Sequence, residues 1–390
     1  MHHGVHLLVM QVASLPSATT QAPARLDPFL SQKLRFWSLV AMLMLVYVHG
    51  YNLHPRYLQP WTAVDEPLSV GAVLQYFVAN GLFRFRIPIL FAISGYLFAH
   101  HDAGRPHKER MRRRVRSLLV PYLLWSGMGL AGTWAMEQFP FTRQLVLDAA
   151  LSIFGPQNPL VSGYSPSELL IRWLLFPVPF QLWFLRSLLV YNLAYPWLRK
   201  AVDRRPKVYF SVAGLVWLLD IGIPPLLEGT GLVFFALGVW LRHREIDVLQ
   251  PPRWFRLWVF ATAWLALLGL KTGLAFYLEQ PPFIPMLLFH KASEALGIVV
   301  MWFGADAVVR AATHQPWIVW LTGFSFLIYV LHVPLVNYAT EAVLCFWPEQ
   351  QLLTYLLVPL AVVTVAILVG TILRRVTPRV YGLLTGGRGL

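Results

Sequence analysis

The sequence predicts an all-α, polytopic membrane protein with about ten transmembrane helices and both termini in the cytoplasm. Three observations carry that prediction. The chain of 390 residues is 57% hydrophobic and only 13% charged, against ~25% charged residues for a soluble domain. Its mean hydropathy is +0.56. Apolar runs of spanning length recur along it, and Lys and Arg punctuate them unevenly.

A span needs ~20 mostly apolar residues. Ten runs qualify, at about 34–51, 82–100, 117–136, 180–198, 207–223, 225–241, 255–271, 284–307, 317–337 and 352–373. The pair around 207–241 is joined by a very short turn, IGIPPLLEG (221–229). Residues 69–83 and 144–155 read as interfacial or re-entrant helices. The domain plan is a mobile cytoplasmic tail over residues 1–30, a ten-helix membrane domain over 31–376 and a cytoplasmic tail over 377–390. No Lys or Arg precedes the short N-terminal apolar patch, so no cleavable signal peptide is expected.

Cytoplasmic loops of membrane proteins are enriched in Lys and Arg. With the N-terminus inside, 24 of the 32 basic residues fall on cytoplasmic segments. Only Arg56, Arg143 and Arg172 fall on outer segments, and five lie within or at the ends of spans. An odd number of spans breaks this alternation. The net charge of +14 therefore reports orientation and contact with anionic membrane lipids, not nucleic-acid binding. One cysteine, Cys345, excludes a disulfide framework and any cysteine-based metal cage. No HExxH or comparable ligand spacing appears.

Ionisable groups at membrane depth are costly, so each is a functional candidate. The first span ends LVYVHGYN (45–52), placing His49 at its outer end with Tyr51 and Asn52 beyond it. His332 lies at similar depth in SFLIYVLHVPL, on one helical face with Ser325 and Tyr329 at i, i+4 and i+7. Arg86 opens RIPILFAISGYLF, which also carries Ser94, and Trp183 and Arg186 stand in QLWFLRSLLVY. His290, Lys291 and Glu294 form the polar core of HKASE. On the cytoplasmic side, Arg113 and Arg116 are three apart in HKERMRRRVRSLLVPYLLW, and guanidinium forks suit phosphates. A bland alternative stands beside each. Buried histidines bond carbonyls, interfacial aromatics form belts and basic runs fix topology.

Taken in order, KLRFWSLVAMLMLVYVHGYN, RIPILFAISGYLF, RRRVRSLLVPYLLW, QLWFLRSLLVY and SFLIYVLHVPL resemble the landmarks of the acyltransferase-3 family of integral membrane acyltransferases, over about residues 33–375. The resemblance implies acyl transfer from a cytoplasmic acyl-CoA co-substrate, usually acetyl-CoA, to a saccharide hydroxyl at the outer face of a bacterial inner membrane. The acceptor it implies is an exopolysaccharide or a lipid-linked repeat unit. His49 matches the family's first-span histidine, and Arg113 and Arg116 its cytoplasmic arginine pair. The family often has an arginine eleven residues before the histidine. Ser38 stands there, and Arg35 is the nearest substitute.

On this reading His49 is a general base or a transient acyl acceptor. Arg86, Ser94 and Tyr329 are candidate oxyanion donors, and His332 orients a substrate. Tyr51, Asn52, Trp183 and Arg186 are candidate acceptor contacts, and GPQNPLVSGYSPSE (155–168) borders them. The rival readings are a secondary transporter and a non-catalytic partner of a polysaccharide assembly complex.

Overall fold

The computed structural model describes residues 26–55, 58–102, 107–151, 160–223 and 227–389. Most of the expected N-terminal tail, and part of the 155–168 segment, lie outside the described residues. Among the described residues the chain is all-α apart from one two-stranded hairpin.

Helix α1 (Pro28–His49) starts where its sequence specifies. Asp27 accepts from the Leu30 N–H at 2.9 Å and Pro28 occupies the first turn, where a missing N–H costs nothing. Helix α2 (Val70–Tyr76) runs on through a π-helical stretch, Phe77–Leu82, and a short turn into α3 (Arg86–Asp102). Helix α4 (His107–Arg114) passes through a second π-helical stretch, Val115–Leu119, into α5 (Val120–Met136). Short helices α6 (Pro140–Ala149) and α7 (Pro166–Leu174) follow. Ser165 and Glu168 close a capping box on α7.

Helices α8 (Trp183–Arg204) and α9 (Pro206–Leu218) lead to strands β1 (Gly222–Ile223) and β2 (Leu227–Glu228). Then come α10 (Gly229–His243), α11 (Leu257–Tyr277) and α12 (Phe283–Gly304). Two short helices, α13 (Asp306–Thr313) and α14 (Pro316–Thr322), precede α15 (Ser325–Phe346) and α16 (Gln351–Val376). The chain closes with α17 (Pro378–Thr385).

The main core joins α1, α3, α8, α10, α15 and α16. Helices α3 and α10 cross at backbone contact because both carry glycine at the crossing. A Cβ on Gly95 would lie 2.0 Å from the Phe235 carbonyl, and one on Gly238 2.0 Å from the Ala92 carbonyl. Gly50 serves a different contact. It ends α1 against α16, where a Cβ would stand 2.8 Å from Pro359.

Polar pairs tie helix ends together at the end of the bundle remote from His49. Lys33, fully buried, meets Asp306 at 2.5 Å and lies over the Trp302 ring. His243 bridges Asp203 and Tyr195 at 3.2 and 3.1 Å, and Arg242 donates to His100 at 3.2 Å.

Among the described residues, six helical segments are long and apolar enough to cross a membrane: Pro28–His49, Val70–His101, Leu257–Tyr277, Phe283–Gly304, Ser325–Phe346 and Gln351–Val376. Helices α5, α8, α9 and α10, on the runs 117–136, 180–198, 207–223 and 225–241, fall outside that set. Helix α9 has 13 residues, ~20 Å at 1.5 Å per residue, short of a ~30 Å hydrocarbon core. Helix α8 has the length but carries Arg186, Arg199, Lys200, Asp203 and Arg204. Beyond residue 377 the chain packs onto the bundle as α17. Tyr381 and Thr385 are fully buried there, and Trp125 donates to the Leu384 carbonyl at 2.9 Å.

Overpacking at the α3–α10 crossing costs ~1–3 kcal/mol. Gly95→Ala is therefore expected to lower the yield of monodisperse protein in fluorescence-detected size exclusion. Gly273→Ala, whose Cβ meets nothing within 4 Å, leaves the profile unchanged.

Candidate functional site

The site is built on a break in α15. Val333 leaves helical geometry (φ −107°, ψ 132°) ahead of Pro334. Proline has no N–H to give the Val330 carbonyl. The Gln181 side-chain amide takes over, donating to the Val330 and Val333 carbonyls at 3.2 and 3.1 Å. The Tyr329 hydroxyl donates back to the Gln181 carbonyl at 2.6 Å. The start of α8 is thereby clamped to α15 just where His332 projects.

His332 is fully buried. Its Nδ1 lies 3.1 Å from the Ile328 carbonyl, and its Nε2 lies 2.9 Å from His49 Nδ1. A carbonyl can only accept, so the His332 proton sits on Nδ1 and Nε2 is a lone pair. His49 must then donate from Nδ1, which leaves its Nε2 as the bare, basic nitrogen. The two rings are stacked, 5.1 Å between centroids and 16° between planes, and Phe180 packs on His49 at 4.9 Å. Asn337 donates to the His49 carbonyl at 3.4 Å.

His49 forms part of the wall of a cavity of about 410 Å³, within the ~300–1,000 Å³ of small-molecule sites. Tyr51, Arg84, Arg86, Trp183 and Arg186 line it as well. Gln59, Arg172, Glu228, Asn337, Thr340 and Glu341 complete the polar lining. The wall is electropositive, with four arginines against two glutamates. Arg84 donates to the Leu58 carbonyl at 3.0 Å and Arg86 to the Phe83 carbonyl at 3.0 Å, and the Nε of each has no partner. Glu228 is open to the lumen on one side.

Of the residues singled out in the sequence, the structure gathers His49, Arg86, Tyr51, Trp183 and Arg186 on this cavity, with His332 directly behind His49. Tyr329 is buried with its hydroxyl committed to Gln181, and it does not line the cavity. Ser94 does not line it either. Asn52 fixes the loop after α1, donating to the Gln351 carbonyl at 2.9 Å. Arg35 is exposed near the opposite end of α1, and fourteen residues of helix separate it from His49, ~21 Å. Ser38 bonds the Leu34 carbonyl at 2.8 Å.

Arg113 and Arg116 are exposed, Arg113 pairing with Glu109 at 2.8 Å. The same helix turns Arg110 over the Tyr195 ring and Arg114 over Phe98. His290, Lys291 and Glu294 bond within their own network. Lys271 donates to the Asn80 carbonyl at 2.7 Å and to His290 Nδ1 at 2.9 Å. His290 Nε2 meets Glu294 at 3.3 Å, and Lys291 meets Asp220 at 2.6 Å.

Sequence reasoning passed over Arg84, Arg172, Glu228, Asn337 and Glu341. Two residues apart on a helix, Arg84 and Arg86 would face apart. Here Arg84 sits in the turn before α3, so both side chains reach the same cavity.

A helical membrane protein with a carbonyl-anchored histidine pair on an electropositive cavity has the parts for hydroxyl-activating transfer chemistry. Comparison with known sequences fixes the class. The chain belongs to the acyltransferase family described as "Acyltransferase domain", which matches residues 33–375, and it is a membrane O-acyltransferase. It is similar to the succinoglycan biosynthesis protein ExoH of Rhizobium meliloti, with 24% identity over 375 residues, 93% of this chain and 94% of the relative. It is also similar to the nodulation protein NolL of Mesorhizobium japonicum, with 22% identity over 264 residues and 64% of each chain. No solved structure matches it.

Replacing His332 removes the acceptor that fixes the His49 tautomer without touching the cavity wall. His332→Ala is expected to lower kcat about 100-fold, at the low end of the ~10²–10⁴ that a positioned base supplies. The KM for the acceptor stays near the wild-type value, and steady-state kinetics on purified protein measures both.

Proposed function

We propose that the chain moves an acyl group, most simply acetyl, from cytoplasmic acyl-CoA to a hydroxyl of a saccharide at the outer face of a bacterial inner membrane. The observation that carries this is the histidine pair, which leaves one unprotonated, partly exposed nitrogen at a cavity with room for a sugar unit. The names of the two relatives, a succinoglycan biosynthesis protein and a nodulation protein, support an exopolysaccharide or lipid-linked saccharide as acceptor.

In this reading ten helices cross the membrane and both termini are cytoplasmic. The alternation is self-consistent. The end of α1 and the starts of α3, α8 and α10 all border the cavity. The start of α1 and the ends of α3, α8 and α10 meet the polar pairs of the opposite end. The arginine run at 107–116 then lies on the donor side.

The sugar hydroxyl approaches His49 Nε2 and attacks the thioester carbonyl carbon. Its proton passes to Nε2 as the new C–O bond forms. The imidazolium then keeps its Nδ1–H on His332, so the charge is shared with a fixed partner. The carbonyl oxygen becomes an oxyanion. Arg86 and Arg84 face the cavity in a low-dielectric setting where such stabilisation is strong. Collapse breaks the C–S bond, and the CoA thiolate recovers the proton. In the variant route His49 Nε2 attacks the thioester first and passes the acyl group on. Trp183 and Tyr51 offer flat apolar surface to a sugar ring. Arg113 and Arg116 hold the CoA phosphates at the membrane surface.

His49→Ala is expected to abolish acylation while leaving membrane insertion intact. The readout is the acetyl content of surface polysaccharide, by proton NMR, in a deletion strain carrying the variant. Near-normal acetylation at normal protein level removes His49 from the chemistry. Arg86→Gln and Arg84→Gln are each expected to cost ~10²-fold or more in kcat, the scale of losing one oxyanion donor.

A further inference from the structure

Leu58 and Gln59, in the loop after α1, border the cavity, and they open the run LQPWT (58–62). Proline at the second position of a four-residue turn presets φ for it. Pro60 holds that position between Gln59 and Thr62. The Thr62 N–H donates to the Gln59 carbonyl at 3.1 Å, and the Gln59 N–H donates to Thr62 Oγ1 at 2.7 Å. Both main-chain groups of Gln59 are satisfied within the turn.

A second set of bonds pins the turn to the bundle. Tyr76, Asn80 and Arg84 stand four residues apart along α2, the π-helical stretch and the turn before α3, a spacing that puts side chains on one side of a helix. Each donates to a carbonyl of the loop. Tyr76 Oη reaches Thr62 at 2.9 Å, Asn80 Nδ2 reaches Gln59 at 3.1 Å and Arg84 Nη2 reaches Leu58 at 3.0 Å. Trp61 packs on Phe283 with 4.4 Å between ring centroids, and the Val64 N–H donates to the Ala275 carbonyl at 3.0 Å. The ladder has its own footing. Lys271, fully buried, donates to the Asn80 carbonyl at 2.7 Å and to His290 Nδ1 at 2.9 Å. The buried charge network thereby bears on the rim of the cavity through Asn80.

What this rim presents is one side chain. Gln59 is exposed, and among the described residues its side-chain amide has no hydrogen-bond partner, whereas its main chain is bonded on both sides. A primary amide carries an acceptor oxygen beside a two-hydrogen donor. Two neighbouring hydroxyls of a sugar ring match that pair, one donating to the oxygen and the other accepting from the nitrogen. His49 and Arg84 border the same cavity, and Arg84 also holds the carbonyl of Leu58, the residue before Gln59. One guanidinium therefore fixes the rim against the wall that carries the histidine. A contact held by supporting bonds of this kind loses little freedom when a ligand binds.

We propose that Gln59 selects the acceptor, its amide binding two neighbouring hydroxyls of the saccharide whose reacting hydroxyl meets His49, and that Asn80 is the positioning residue that fixes it. This rests on the reading of the cavity as the acceptor site.

The test is steady-state transfer of radiolabelled acetyl from acetyl-CoA by the purified full chain in detergent. The acceptors are de-O-acylated polysaccharide and lipid-linked saccharide extracted from a deletion strain. Gln59→Ala removes the amide, and Gln59→Met removes it while keeping the length of the side chain. Each is expected to raise the KM for the saccharide about tenfold, the scale of two neutral hydrogen bonds. The kcat and the KM for acetyl-CoA stay at wild-type values, the pattern of binding shared by ground and transition states. Asn80→Ala gives a similar rise, and the double variant with Gln59→Ala rises no further than Gln59→Ala alone. A saccharide KM unchanged in Gln59→Ala, or restored in Gln59→Met, overturns the role of the amide and leaves the transfer reading standing. So does an equal rise in the KM of both substrates, or a fall in kcat alone, because a structural role produces those. Effects of the two substitutions that multiply in the double variant overturn the positioning role of Asn80. Wild-type protein that acetylates neither saccharide overturns the acceptor reading and the proposal with it.

Discussion

The histidine pair depends on one backbone carbonyl. Ile328 accepts from His332 Nδ1, and that single contact decides where every proton in the pair resides. Had His332 carried its proton on Nε2, it would have donated to His49, and His49 would have turned its N–H toward the cavity. The carbonyl is held in place by the surrounding break in α15. Pro334 disrupts the helical ladder, and Gln181 and Tyr329 lock the freed main chain to α8. Tyr329 therefore belongs to the frame that holds His332 and not to the cavity wall.

The buried charges fall into two kinds, and the difference is informative. Lys271, His290, Glu294, Lys291 and Asp220 bond to one another or to backbone. Such a network fixes α11 and α12 and offers little to a ligand. Arg84 and Arg86 are held only by backbone carbonyls of their own turn and of the loop before it, with Nε unpartnered. Burying a guanidinium without a carboxylate is costly. In the proposed reaction that cost is recovered when negative charge develops in the cavity, so the same desolvation strengthens the hold of Arg84 and Arg86 on an oxyanion.

Much of this was legible in the sequence. Helix class follows from composition and apolar run length. Counting Lys and Arg put His49 and His332 at similar depth on different helices, and the structure brings their ring nitrogens to 2.9 Å. What did not follow has a geometric cause in each instance. Arg84 was lost because helical periodicity fails in the turn before α3. Tyr329 shares a helical stripe with His332, yet the Pro334 break and the Gln181 clamp turn its hydroxyl away from the cavity. Asn337, Thr340 and Glu341 lie beyond the break, where the register of the stripe no longer applies. HKASE looked like a site because a sequence shows charges and not their partners.

The burial difference between the two imidazoles also separates their roles. His332 has no accessible surface, and His49 is partly exposed to the cavity. A base must meet its substrate, and of the two imidazoles only His49 has surface on the cavity, as the proposed general-base role requires. Phe180 covers one side of His49 and Val48 extends the wall beside it. The basic nitrogen is thereby presented in an apolar collar. In the proposed reaction that collar disfavours water at Nε2 relative to a sugar hydroxyl held against the wall. That is the selectivity an acyl transferase needs, because hydrolysis of the thioester uses the same base, the same oxyanion donors and a smaller nucleophile.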